Sequence, residues 1–180
     1  NYMENHKTNY KTYTIVLIIA LFCLSFNGFA QYPSEINKLL KEVKEASFGD
    51  SATLFKIGDQ TIHKTAQTKY KGAEAEVNIY YGNYFYYTRN IDRAKFYFEK
   101  AKSKAQTFSN KHIETLANIR LIFIDYELGI NEAAEQDFLN LLIETKQTKN
   151  FENHAELLNL LGIIKESKNE LQAAAELYIE

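Results

Sequence analysis

Three alanines, Ala94, Ala134 and Ala174, recur at an interval of 40 residues, each inside the same local pattern. An apolar helical stretch runs into a polar break, and a second helical stretch opens on acidic residues: Asn90-Ile91-Asp92-Arg93 before Ala94, Asn131-Glu132-Ala133 before Ala134, Asn169-Glu170-Leu171 before Ala174. A fixed period of roughly 20–50 residues marks units that cannot bury an apolar face alone and therefore stack on one another. The interval thus predicts an all-α chain, an α-solenoid of antiparallel helix pairs. An array of this kind presents a surface for binding, and nothing in the period names what is bound.

Composition fits that architecture. With 46% hydrophobic residues in 180, the chain can bury a sizeable core, and one Pro with seven Gly leaves its helices nearly uninterrupted. Net charge is −2, and Lys and Arg are dispersed among Glu and Asp. Neutralising phosphates needs a basic patch, so nucleic acid is not expected as a partner of this segment.

Apolar spacing follows the helix period throughout. Ile36, Leu39, Leu40 and Val43 define a first amphipathic helix ending near Phe48-Gly49-Asp50, and Ser51 is expected to cap a second that carries Leu54, Phe55, Ile62 and Ala66. A long helix follows Lys71-Gly72 through Tyr87, and another runs from Asn90 to about Thr107. After Ser109-Asn110 come a helix over Ile113–Leu128, ended by Gly129, and one from Asn131 to about Thr145. Helices over Glu152–Lys165 and Glu170–Glu180 close the pattern, giving eight helices in four pairs with no run that alternates like a strand.

Residues Ala75 to Ala101 resemble a tetratricopeptide repeat. Tyr81, Gly82 and Phe85 match the large, small and aromatic positions of its first helix, and Ala94, Phe98 and Ala101 match those of its second. Gly82 and Ala94 let two helix backbones approach, while Phe85 and Phe98 fill the space beside them. Leu161, Gly162, Leu171, Ala174 and Tyr178 repeat the pattern; Gly129, Ala134 and Phe138 keep part of it, with Ile122 where a small residue belongs. The first pair, Ile36 to Ala66, keeps only the helical hairpin, with Gly58 in the close-contact role. The family's period is about 34 residues, so an interval of 40 implies helices longer by a turn or extended connections.

The N-terminus carries a separate signal. Lys7 and Lys11 precede an apolar stretch from Tyr13 to Phe26, and Gly28 and Ala30 supply small residues for cleavage after Ala30. That stretch is short of the roughly 20 residues a spanning helix needs, so a cleaved secretory signal over residues 1–30 is expected, with an uncleaved anchor as the alternative. Phe22 before Cys23 departs from a lipoprotein site, and without residues 1–30 no cysteine remains. Met3 is the plausible initiator, and the apolar stripe of Leu171, Ala174, Ala175 and Tyr178 reads as an array that continues past Glu180. Residues 31–180 are thus read as the repeat domain of an exported, periplasmic or membrane-associated protein, with membrane contact only through the signal segment or a region beyond Glu180.

Catalytic signatures are nearly absent. His6, His63, His112 and His154 are far apart, no phosphate-cradling glycine loop exists, and no Ser stands in a nucleophile elbow. No catalytic, metal or cofactor-binding residue is assigned, no cofactor is expected, and His112 with Glu114 is the nearest approach to a pair. Asp125, Glu127, Glu132 and Glu135 read as solvated helix faces and helix-start charges, and Arg93, Lys95, Lys100, Lys102 and Lys104 as a solvated outer face.

Tyr80, Tyr81, Tyr84, Phe85, Tyr86 and Tyr87 crowd one helix, and a helix so ringed cannot bury every ring on one face. In the tetratricopeptide family the first helix of each pair lines an inner groove. That resemblance places Asn83, Tyr86 and Tyr87, then Arg120, Phe123 and Tyr126, then Asn159 and Ile163 on a groove for a protein or peptide partner. The family's carboxylate clamp is absent, because Ile79 and Leu116 stand where Lys is needed. A second reading is the sensor region of a membrane signalling protein whose histidine kinase or helix-turn-helix domain lies beyond residue 180.

Overall fold

The computed structural model describes residues 32–130 and 133–179. Helices α1 Ser34–Ala46, α2 Ser51–Thr65, α3 Ala73–Tyr87, α4 Ile91–Thr107, α5 Lys111–Glu127, α6 Ala134–Gln147, α7 Phe151–Ser167 and α8 Leu171–Ile179 account for nearly all of them, and no strand occurs among the described residues. The expected signal segment with Cys23, together with Asn131, Glu132 and Glu180, lies outside the described residues.

The period of 40 has a simple local origin. Helices α4, α5 and α7 each span 17 residues, and α4 and α7 are each followed by a connection of three. The second residue after each of helices α3 to α7 adopts a left-handed conformation: Arg89 at φ 60°, Ser109 at 55°, Gly129 at 68°, Lys149 at 55° and Asn169 at 61°. With the backbone turned this way, Arg89 N–H donates to Tyr86 O at 3.0 Å and Asn90 N–H to Phe85 O at 2.8 Å, which satisfies two carbonyls the helix end leaves open. The same pair of bonds closes α4, α5, α6 and α7.

The third connecting residue then begins the next helix. Asn90, Asn110 and Asn150 accept from the N–H three residues on, as Asp50 does from Thr53. One expectation is corrected here. Asp50 rather than Ser51 caps α2. Asn169 occupies the left-handed site after α7. Of the two explanations for the long period, extra helical length is observed at α4, α5 and α7, and a longer connection of six positions separates the end of α5 from the start of α6.

Three apolar clusters hold the stack, one for each successive helix triplet. Leu40, Val43, Leu54, Val77 and Tyr81 join α1, α2 and α3; Ile79, Phe85, Ala94, Phe98, Ile113 and Leu121 join α3, α4 and α5; Ile119, Phe138, Leu157, Leu161 and Ile164 join α5, α6 and α7. The first helices α1, α3, α5 and α7 touch one another in sequence, whereas the second helices α2, α4, α6 and α8 do not. First helices thus form the inner layer of a bent stack and second helices the outer one.

Close approach within a pair depends on a small residue. A Cβ on Gly82 would stand 2.5 Å from Phe98 Cε1, and one on Gly162 would run into the ring of Tyr178. Ile122 holds the corresponding position of the third pair and packs against the cluster containing Phe138. Accordingly, α5 and α6 lie less closely together than α3 and α4 or α7 and α8. Gly58 does make a close contact, but with Tyr81 of the following pair rather than within its own.

Candidate functional site: the inner face of the first helices

Helices α3, α5 and α7 carry the residues expected to line a groove. At the C-terminal end of this layer the structure builds a ladder of rings. Phe48, from the α1–α2 turn, stacks on Tyr87 at 5.5 Å between centroids; Tyr87 meets Tyr86 at 5.7 Å; Tyr86 meets Phe123 at 6.5 Å; and Phe123 meets Tyr126 at 6.5 Å. The Tyr86 and Tyr126 hydroxyls are tied to the next first helix. Tyr86 donates to Glu127 Oε2 at 2.7 Å, and Tyr126 lies 3.0 Å from Ser167 Oγ, the equivalent position one period on. Burial, then the bond to Glu127, holds the Tyr86 hydroxyl well above the usual phenol range.

Exposure sorts these rings. Phe48 is 66% exposed and Tyr87 50%, while Tyr86 and Tyr126 are half-buried. Phe123, at 8%, belongs to the third apolar cluster, so its expected role as an open groove residue is corrected: it is the buried rung on which its neighbours rest. Arg120 is half-buried and paired with Glu156 of α7. Asn83, Phe123 and Ile163 occupy one register position in successive pairs, with Asn83 half-buried and Ile163 39% exposed; Asn159 is exposed one turn before Ile163 on α7.

A polar cluster at the opposite end of the same layer was not anticipated. Tyr80 donates to Glu76 Oε1 at 2.8 Å on α3. His112, which begins α5, lies with Nδ1 3.0 Å from Asn150 Oδ1 and Nε2 3.5 Å from Glu152 Oε2, and its carbonyl accepts from Asn153 Nδ2 at 2.8 Å. Burial raises the Glu76 carboxyl above the usual carboxylate range, against the Tyr80 bond and the nearby His112, and Lys44 also acts on it. Tyr32, whose hydroxyl has no hydrogen-bond partner, is pushed up to about 12 by burial and by Glu76.

The sequence signal for this cluster was the spacing of His112 and Glu152, one period apart. It was masked by the nearer Glu114, which instead accepts from Lys111 at 2.6 Å and Gln106 at 3.0 Å. The outer-face lysines are also less idle than expected: Lys95 pairs with Asp125 at 2.7 Å, Lys104 with Glu74 at 2.9 Å, and Lys102 donates to Asn118 Oδ1 at 3.1 Å. Asp125, Glu127 and Glu135 likewise bond between helices.

Chemically, the face offers aromatic surface at one end and a hydrogen-bonding carboxylate–imidazole array at the other. Among the described residues no group of His, Cys, Asp and Glu is arranged to hold a metal ion, and no helix is long and apolar enough to cross a membrane. No family model matches the chain, and neither curated proteins nor solved structures give a match.

Proposed function

We propose that this protein is a tetratricopeptide-type binding scaffold that works outside the cytoplasm and holds a protein or peptide segment along the inner face of its first helices. The observation that carries the reading is the ring ladder Phe48–Tyr87–Tyr86–Phe123–Tyr126, exposed at the Phe48 and Tyr87 end and resting on the buried Phe123 farther along. Rigid tyrosines offer large contact area at little rotamer entropy, which suits recognition of a chain rather than of a small metabolite. The resemblance of Ala75–Ala101 to the family supports the same assignment, and the basic, apolar, small-residue order of residues 1–30 supports export.

The test begins with peptides selected from a random library against the immobilised full chain. Phe48→Ala with Tyr87→Ala should weaken the selected peptides by about 2 kcal/mol or more, with circular dichroism unchanged. Lys100→Ala, on the outer layer, should leave affinity as it was. Undiminished binding by the ring variants would overturn the site.

A further inference from the structure

The 40-residue equivalence makes the three junctions between consecutive second helices directly comparable. At the first junction, the wedge between α2 and α4 is filled by four rings: Phe55 from α2, Tyr81 and Phe85 from α3, and Tyr97 from α4. Phe55 lies 5.0 Å from Tyr81 and 5.9 Å from Phe85, and Tyr97 lies 5.3 Å from Tyr81 and 5.4 Å from Phe85. Two periods on, the same four positions are Glu135 on α6, Leu161 and Lys165 on α7, and Leu177 on α8. No ring remains there, and the wedge is an open cleft of about 410 Å³ lined by these four with Leu139, Ala173 and Glu176.

The floor is apolar, from Leu139, Leu161, Ala173 and Leu177, and the rim is charged. Lys165 is held by Glu135 and Glu170, and Lys168 also by Glu135, so both rim ammonium groups are committed. Among the described residues, Glu176 accepts from Gln172, at a long 3.3 Å, and is in no ion pair. Ala173 and Glu176 also line a shallower depression running over Asn169–Gln172, so the cleft continues as a trough along α8 that passes both Glu170 and Glu176.

We propose that the α6–α8 cleft is a second binding site, on the outer layer, that takes one aromatic side chain of an extended partner peptide whose flanking basic residue meets Glu176. The aromatic occupant follows from the fold itself, since the equivalent wedge accommodates rings at the first junction. Basic flanks follow from the rim, where carboxylates outnumber the ammonium groups and the latter are already bonded. The site is separate from the inner face, and the two stand or fall independently.

The probe is the blocked pentapeptide Gly-Lys-Phe-Lys-Gly, titrated into isotope-labelled full-length protein and followed by amide and methyl chemical shifts. Saturable shifts at Leu139, Leu161, Ala173 and Leu177 are expected. Replacing the peptide's Phe by Ala, or its two Lys by Glu, should weaken binding at least about tenfold. Leu177→Tyr, which supplies the ring that Tyr97 supplies at the first junction, should block the peptide to the same extent while raising the melting temperature. Leu139→Phe serves the same purpose if that variant does not fold. Glu176→Lys should lose the Lys peptide and gain the Glu peptide. Absence of saturable shifts, shifts confined to α3 and α5, or full binding by both cleft-filling variants would overturn the proposal. Loss of inner-face binding by Phe48→Ala and Tyr87→Ala, with cleft binding kept, would separate the two sites.

Discussion

At the residue scale, the same glycine does different work depending on what it faces. Gly82 and Gly162 occupy one register position, but Phe98 is 1% exposed and cannot move, whereas Tyr178 is 45% exposed and can swing outward. Gly82→Ala should therefore destabilise by about 1–3 kcal/mol, as overpacking of a rigid core does, and Gly162→Ala by much less, read from urea unfolding. A reversal of that order would show that the ring environment does not set the cost. Glu76 makes a prediction in pH. Its folded-state carboxyl is raised by burial, so the stability tied to its protonated form is present below the ordinary carboxylate range and is lost as pH rises through the raised value. Glu76→Gln should melt higher than the parent at pH 7 and converge with it towards pH 4. A gap that instead widens in acid would mean that the carboxylate, not the acid, is the favoured folded form.

At the scale of elements, each junction between pairs is marked by a different chemistry at equivalent positions. Phe55 meets Phe85 between α2 and α3, Lys95 meets Asp125 between α4 and α5, and Glu135 meets Lys165 between α6 and α7, the last pair with signs reversed. Identical helices could stack in any order, and the reversed pairs penalise the wrong one. Lys165 and Lys168 hold the Glu135 carboxyl below the usual range, so its contribution is present above that range and lost in acid. Lys95→Glu alone should destabilise by about 1 kcal/mol through like-charge contact with Asp125, and Lys95→Glu with Asp125→Lys should recover most of it. A double variant no better than the single, in thermal melts at low salt, would remove the pairing argument.

For the whole array, contacts among the described residues run only between helices consecutive in the chain or two apart, so stability is set by local junctions rather than by one central core. The junctions are unequal. Helices α3, α4 and α5 share the largest ring content and the tightest pairing, whereas Ile122 spaces α5 from α6, and α8 buries Ala174 alone. Hydrogen exchange should be slowest in α3 to α5, intermediate in α7 and fastest in α8. Uniform protection across the eight helices would mean that the array opens as one cooperative block. The same inequality positions the two candidate sites: the ring ladder lies on the well-packed part of the inner layer, and the outer cleft lies where the rings run out.

Helix periodicity, the interval of 40 and the small-residue positions Gly82, Ala94, Ala134, Gly162 and Ala174 were legible in the chain because they are local. Spacing along a helix fixes which side chains share a face, and Asn or Asp before an apolar run fixes where a helix can begin. The excess of aromatics on α3 likewise announced that some rings would face outward. Which rings did so was decided only by the stack. Phe123 and Tyr87 are both aromatic residues on first helices, yet one lies under α7 and the other lies at the edge against Phe48. The Glu76–His112–Glu152 array and the α6–α8 cleft belong to the same category, since they join residues tens of positions apart whose proximity depends on how far each pair bends over the last. Local spacing carries no information about that angle; it depends on which side chains meet across pairs, as Gly58 meets Tyr81, through contacts that exist only once the helices have met.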